Sequence, residues 1–129
     1  TSRLLMGKDY FHEELMWCMH NAPYEEHENI LSRLTAVLEA GANPNDTGDD
    51  EEEGVPCMQT LIVQDMDENL KCEMVRLLIR YGANVNVEFD GDNALSLCDE
   101  NSFQPNKALE KILIQAGAVP LAGRSGRLL

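Results

Sequence analysis

The sequence predicts an all-α chain built as a helical repeat solenoid, with about three helix-turn-helix units and loops that project between them. Three observations carry that expectation. A helix ending recurs as Leu38-Glu-Ala-Gly-Ala-Asn-Pro-Asn45, Ile79-Arg-Tyr-Gly-Ala-Asn-Val-Asn86 and Ile114-Gln-Ala-Gly-Ala-Val-Pro120. The glycines of these endings are 41 and 35 residues apart, a spacing that marks stacked supersecondary units. Finally, aromatic residues make up 5% of a chain that is 43% hydrophobic, which leaves Leu, Ile, Val and Ala to build the core.

The repeated ending has a local cause. A glycine directly after an apolar helix can take the left-handed backbone conformation that closes the helix, and the Ala-Asn that follows turns the chain away. Ahead of each glycine, apolar residues recur at helical intervals. Outer helices are therefore expected over 28–40, with Ile30, Leu31, Leu34, Val37 and Leu38, over 71–81, with Cys72, Val75, Leu78 and Ile79, and over 106–116, with Leu109, Ile112 and Leu113. Inner helices are expected over 9–20, 57–64 and 93–100. Asn21-Ala-Pro-Tyr-Glu-Glu-His27 and Asp65-Met-Asp-Glu-Asn69 read as the turns within the first two pairs, and Pro105 and Pro120 mark breaks.

Gly82-Ala-Asn-Val-Asn86 resembles the ankyrin repeat, whose unit ends in Gly-Ala-Asp-Val-Asn and a projecting finger. Gly91-Asp-Asn-Ala-Leu95 is similar to the family's Gly-x-Thr-Pro-Leu, and Val55-Pro-Cys57 is a fainter copy. The resemblance is strong at the helix ends and weak in the inner helices, with extra length between the paired helices. It divides the chain into an N-terminal extension (1–8), a repeat domain (9–120, in units of about 9–48, 49–89 and 90–120) and a C-terminal tail (121–129). Three units are about the minimum that buries a continuous core, and a terminal unit needs a polar outer face. Glu110, where the preceding outer helix has Val75, makes the third unit the expected cap.

Charge is the chemical feature of the chain. With 23 acidic and 10 basic residues, the formal net charge is -13. Asp49, Asp50, Glu51, Glu52 and Glu53 form one run in the first finger. Asp65, Asp67 and Glu68 in an interhelical turn, and Glu88, Asp90 and Asp92 in the second finger, extend the same field. Fingers and inner helices line the concave surface with which solenoids bind. Direct binding of nucleic acid is disfavoured, because its phosphates are repelled, and a basic protein is the expected partner. The run also has a plainer reading, as a solvated loop that keeps the chain soluble. Trp17, the only tryptophan, is either an interface anchor or partly buried core.

No catalytic residue, cofactor or metal site is assigned, and the chain is read as a non-enzyme. His12 and His20 are eight positions apart where helical metal ligands sit four apart, and His27 falls beyond the helix. His12-Glu13-Glu14 reads as the polar face of a helix. Cys18, Cys57, Cys72 and Cys98 lack a Cys-x-x-Cys pair and read as reduced core residues. The methionines read mainly as core filling. Asn45-Asp-Thr47 matches a glycosylation acceptor and is assigned no role.

No apolar run approaches the roughly 20 residues of a membrane span, and the start of the chain is too short and polar for a secretion signal. The expectation is a soluble, cytoplasmic monomer that meets its partner as an interaction module. The alternatives are an immunity or inhibitor protein that occludes the cationic site of a toxin or nuclease, nucleic-acid mimicry, and a metal protein or enzyme using His12 and His20.

Overall fold

The computed structural model describes residues 8–47, 54–99, 102 and 105–120. Among the described residues five helices follow one another: α1 (Lys8–Asn21), α2 (His27–Glu39), α3 (Cys57–Ile62), α4 (Glu68–Arg80) and α5 (Lys107–Gln115). Among the described residues there is no strand, only two isolated bridges, Thr47 with Pro56 and Phe89 with Asp92. The fold is all-α.

Helices α2, α4 and α5 end as their sequences dictate. Gly41, Gly82 and Gly117 have φ of 118°, 105° and 102°. In each case the glycine N–H donates three residues back, to Leu38, Ile79 or Ile114. The following alanine N–H donates five back, to Val37, Leu78 or Leu113. This paired closure satisfies carbonyls that the helix end leaves without partners.

The same turns are tied to one another. Asn45 donates its side-chain amide to Gly82 O at 3.2 Å and accepts from Asn84 N at 2.6 Å. Asn86 repeats the arrangement one unit on, with Gly117 O at 3.1 Å and Val119 N at 2.9 Å. Asn43 and Asn84 hold the turns themselves by accepting from Asn45 N and Asn86 N. Buried Gln59 and Asn93 then donate to the backbone oxygens of Val87 and Val119.

α1 packs on α2 and α3, α2 on α4, and α4 on both α3 and α5. Leu15, Met19, Ile30, Leu34, Leu61, Leu70, Met74, Leu78, Leu109 and Leu113 are fully buried between them. All four cysteines are free and buried. Burial pushes the thiols of Cys18, Cys57 and Cys98 up to about 12, so they are neutral core groups. Met16, Met58 and Met74 are also core.

One expectation is corrected. No helix forms over the described part of 93–100: residues 94–98 are consecutive turns. Asn93 N donates to Ser96 Oγ and Ser96 N donates to Asn93 Oδ1, as at a helix start. Beyond it, Cys98 N reaches back only to Leu95 O, and Cys98 O accepts from Asn106 N. Short polar side chains that bond the local backbone compete with helix propagation, and here the turn wins. On α5 the exposed side chains are mixed, with Lys107, Lys111 and Gln115 beside Ile114. Glu110 is half-buried, while Ile114 and Val119 are 54% and 57% exposed.

Candidate functional site

The acidic positions fall into three groups. Asp49, Asp50, Glu51, Glu52 and Glu53 lie outside the described residues, as do the tail and all of the N-terminal extension except Lys8. On either side of that acidic run the described chain meets in the Thr47 to Pro56 bridge.

The second group surrounds the turn between α3 and α4. Asp65, Asp67 and Glu68 are all exposed. Asp67 caps α4, its side chain accepting from Leu70 N at 2.9 Å, and Glu68 sits in the first turn, where the helix dipole favours a negative charge. Asp65 and Glu68 line a cavity of about 380 Å³ together with Met66, Lys71, Pro105 and Asn106. Turn, helix start and the approach to α5 thus form one mostly polar concavity, in which Met66 and Pro105 are the apolar residues and Lys71 stands against the two carboxylates.

Lys71 is the residue that sequence reasoning passed over. It is only 4% exposed, and its Nζ donates to Ile62 O and Gln64 O at 2.7 Å each. It therefore neutralises the carbonyl end of α3. Burial lowers its pKa from the ordinary value, and the nearby Glu68 and Asp65 carboxylates oppose that shift. A signal was present, since Lys71 lies four residues before the buried Val75, on the apolar side of α4.

Asn106 closes the other wall. Its Oδ1 accepts from Leu109 N at 3.0 Å and caps α5, while its buried Nδ2 has no hydrogen-bond partner among the described residues. Burial pushes the Cys72 thiol up. The Asn106 amide opposes that shift but does not meet hydrogen-bond geometry with the sulfur.

The third group is the second finger. Phe89 and Asp92 exchange backbone hydrogen bonds at 2.8 and 3.0 Å across Asp90 and Gly91, whose φ values are 53° and 83°. Two left-handed residues in sequence are what a tight hairpin turn requires, and Asp-Gly supplies them at low strain. This leaves Glu88 and Asp90 exposed at the tip. Asp92 is half-buried and accepts from Ser96 Oγ at 2.8 Å, so it holds the turn as well as carrying charge.

Trp17 does not share the cavity. It is half-buried against the core, and the guanidinium of Arg33 lies 3.7 Å from its ring centroid. Arg33 in turn makes two bonds of 2.7 Å to Glu14. One face of the indole is thus covered by the chain itself.

His12 Nδ1 lies 3.0 Å from Asp46 Oδ2 and joins α1 to the first finger. His20 and His27 are exposed, and among the described residues no three His, Cys, Asp or Glu side chains are grouped to hold a metal ion. Nor is any described helix long and apolar enough to cross a membrane.

Comparison of the chain with family models, curated proteins and solved structures gives no match. The case for function rests on the residues themselves.

Proposed function

We propose that this chain is a non-enzymatic protein-interaction module of ankyrin-like architecture, which binds a basic partner protein through the carboxylate-lined concavity at the α3–α4 turn and the second finger. The architectural part of the reading is supported by the three equivalent helix closures, the repeated Asn45 and Asn86 bridges and the pairwise helix contacts. The functional part rests on one observation: the exposed carboxylates of Asp65 and Glu68 share a cavity with Met66 and Pro105. Such a concavity suits a lysine or arginine side chain, with an apolar stem to cover and a charged head to pair. The net charge of -13 adds long-range attraction that accelerates encounter and falls with salt.

The test is capture of a partner at low salt, then calorimetry with that purified partner and two variants, Asp65→Asn/Glu68→Gln and one with residues 49–53 neutralised. A basic partner that binds the first variant at least tenfold more weakly supports the cavity. Equal affinity for wild type and both variants overturns the proposal. One-to-one inhibition of a captured nuclease would identify the module as an inhibitor.

A further inference from the structure

Among the described side chains of this acidic molecule, positive charge is segregated. Arg33 is held by Glu14 and Lys71 is buried. The other cations whose side chains are described, Arg76, Arg80, Lys107 and Lys111, are exposed, and all lie on α4 and α5. Among the described residues neither Arg76 nor Arg80 makes an ion pair or a side-chain hydrogen bond. The two line an open groove of about 330 Å³ between α2 and α4, with Leu31, Leu77 and Glu73. The floor is apolar, since Leu31 and Leu77 are half-buried and pack on the core. From Leu31 the depression continues along α2 past Ser32, Thr35 and Ala36 to Glu39, so Arg76 and Arg80 supply the positive charge from α4 alone.

We propose that this groove docks an amphipathic helix of a partner protein, with an apolar stripe laid on Leu31 and Leu77 and carboxylates set toward Arg76 and Arg80. The inference goes beyond the proposed function, because it uses another face and a ligand of opposite charge. Charge complementarity selects the occupant. Arg76 and Arg80 are one turn apart, about 6 Å along α4, which matches carboxylates four residues apart on a helix lying alongside. Glu73 stands at the other end of the groove. A docked helix therefore sets its positive N-terminal end toward Glu73 and its carboxylate-bearing C-terminal half toward the arginines, running in the same direction as α4.

The probe is a labelled 18-residue peptide with Leu and Ala on one face and two Glu at i and i+4 in its C-terminal half, titrated into the full chain by fluorescence anisotropy. The controls are a scrambled peptide and one with the Glu pair in the N-terminal half. Saturable binding is expected, weakened roughly three- to tenfold by Arg76→Gln/Arg80→Gln, weakened by Leu77→Ala, and unchanged by Asp65→Asn/Glu68→Gln. Because repulsion from the rest of the chain is long-range, affinity should hold or rise as salt increases from about 0.01 to 0.15 M, opposite to a basic partner. Arg76 and Arg80 are exposed, so the double variant keeps the wild-type circular-dichroism melt. The proposal is overturned if the acidic peptide fails to bind wild type, if the scrambled peptide binds equally, if the arginine variant binds undiminished, or if sedimentation shows the groove filled by a second copy of the chain.

Discussion

Replacing Lys71 by methionine tests the least expected feature of the interior. Methionine keeps most of the length and apolar stem but removes the ammonium that donates to Ile62 O and Gln64 O. Hydrogen bonds from a charged donor contribute about 1.5–3 kcal/mol, and a buried carbonyl left without a partner costs about 1–3 kcal/mol. Relief of the charge's own desolvation offsets part of that loss. A net destabilisation of roughly 2–4 kcal/mol follows, since only one side of the interaction is removed and both carbonyls remain. Against a total of about 5–15 kcal/mol the variant still folds. With a urea dependence of about 1–3 kcal/mol per molar, its midpoint falls by on the order of 1–2 M.

Lys71 also carries a pH signature. Its folded pKa lies below the ordinary 10.5, so the unfolded chain holds the proton longer and stability from this residue increases with pH up to that value. Methionine has no such titration, and the gap between wild type and variant widens as pH rises from neutrality toward 10.5. Urea melts at pH 7 and pH 10 measure both effects. A Lys71→Met midpoint at or above that of wild type would refute the reasoning, because it would mean that the apolar stem alone supports the end of α3.

The remaining expectations address the unit closures, the thiols and the indole. Asn45→Ala and Asn86→Ala each remove two bonds between units and should destabilise by about 1–2 kcal/mol, read as a lower thermal midpoint; unchanged midpoints would mean that water replaces the bridges without loss. For Cys18, Cys57 and Cys98 the folded pKa is raised from 9.0 to about 12. Their contribution is therefore complete below pH 9 and is lost as pH rises toward 12, giving an alkaline fall in urea midpoint. At pH 8 all four thiols should react slowly with a disulfide reagent until urea is added. Arg33→Ala uncovers one face of Trp17 and breaks both bonds to Glu14, so the single tryptophan should shift its emission to the red, with stability reduced by about 1–2 kcal/mol.

What was legible in the sequence is what depends on near neighbours. The outer helices emerge within three residues of their expected bounds, because their apolar periodicity and glycine closures are local properties of α2, α4 and α5. Asp65, Glu88 and Asp90 could be placed in exposed segments between helices, although Met66 flanks Asp65 and Val87 and Phe89 flank Glu88, whereas Glu68, expected in the turn, opens α4. The inner segment at 93–98 was misread because Ala94, Leu95 and Cys98 have helical spacing. Their burial is satisfied equally by consecutive turns once Asn93 and Ser96 bond each other and Asn106 N takes Cys98 O.

Tertiary structure alone decided the roles of the charged and amide groups. Nothing around Lys71 in the chain says that the end of α3 will bring two carbonyls to its ammonium. Nor does the sequence tell that Asp92 is engaged by Ser96 and that Arg33 covers Trp17 while Arg76 and Arg80 stay open. A helix closure is fixed by the few residues that form it, so it can be read from a motif. Whether a charge is available to a partner depends on which distant groups folding brings within hydrogen-bonding reach, and that is a property of the packed molecule.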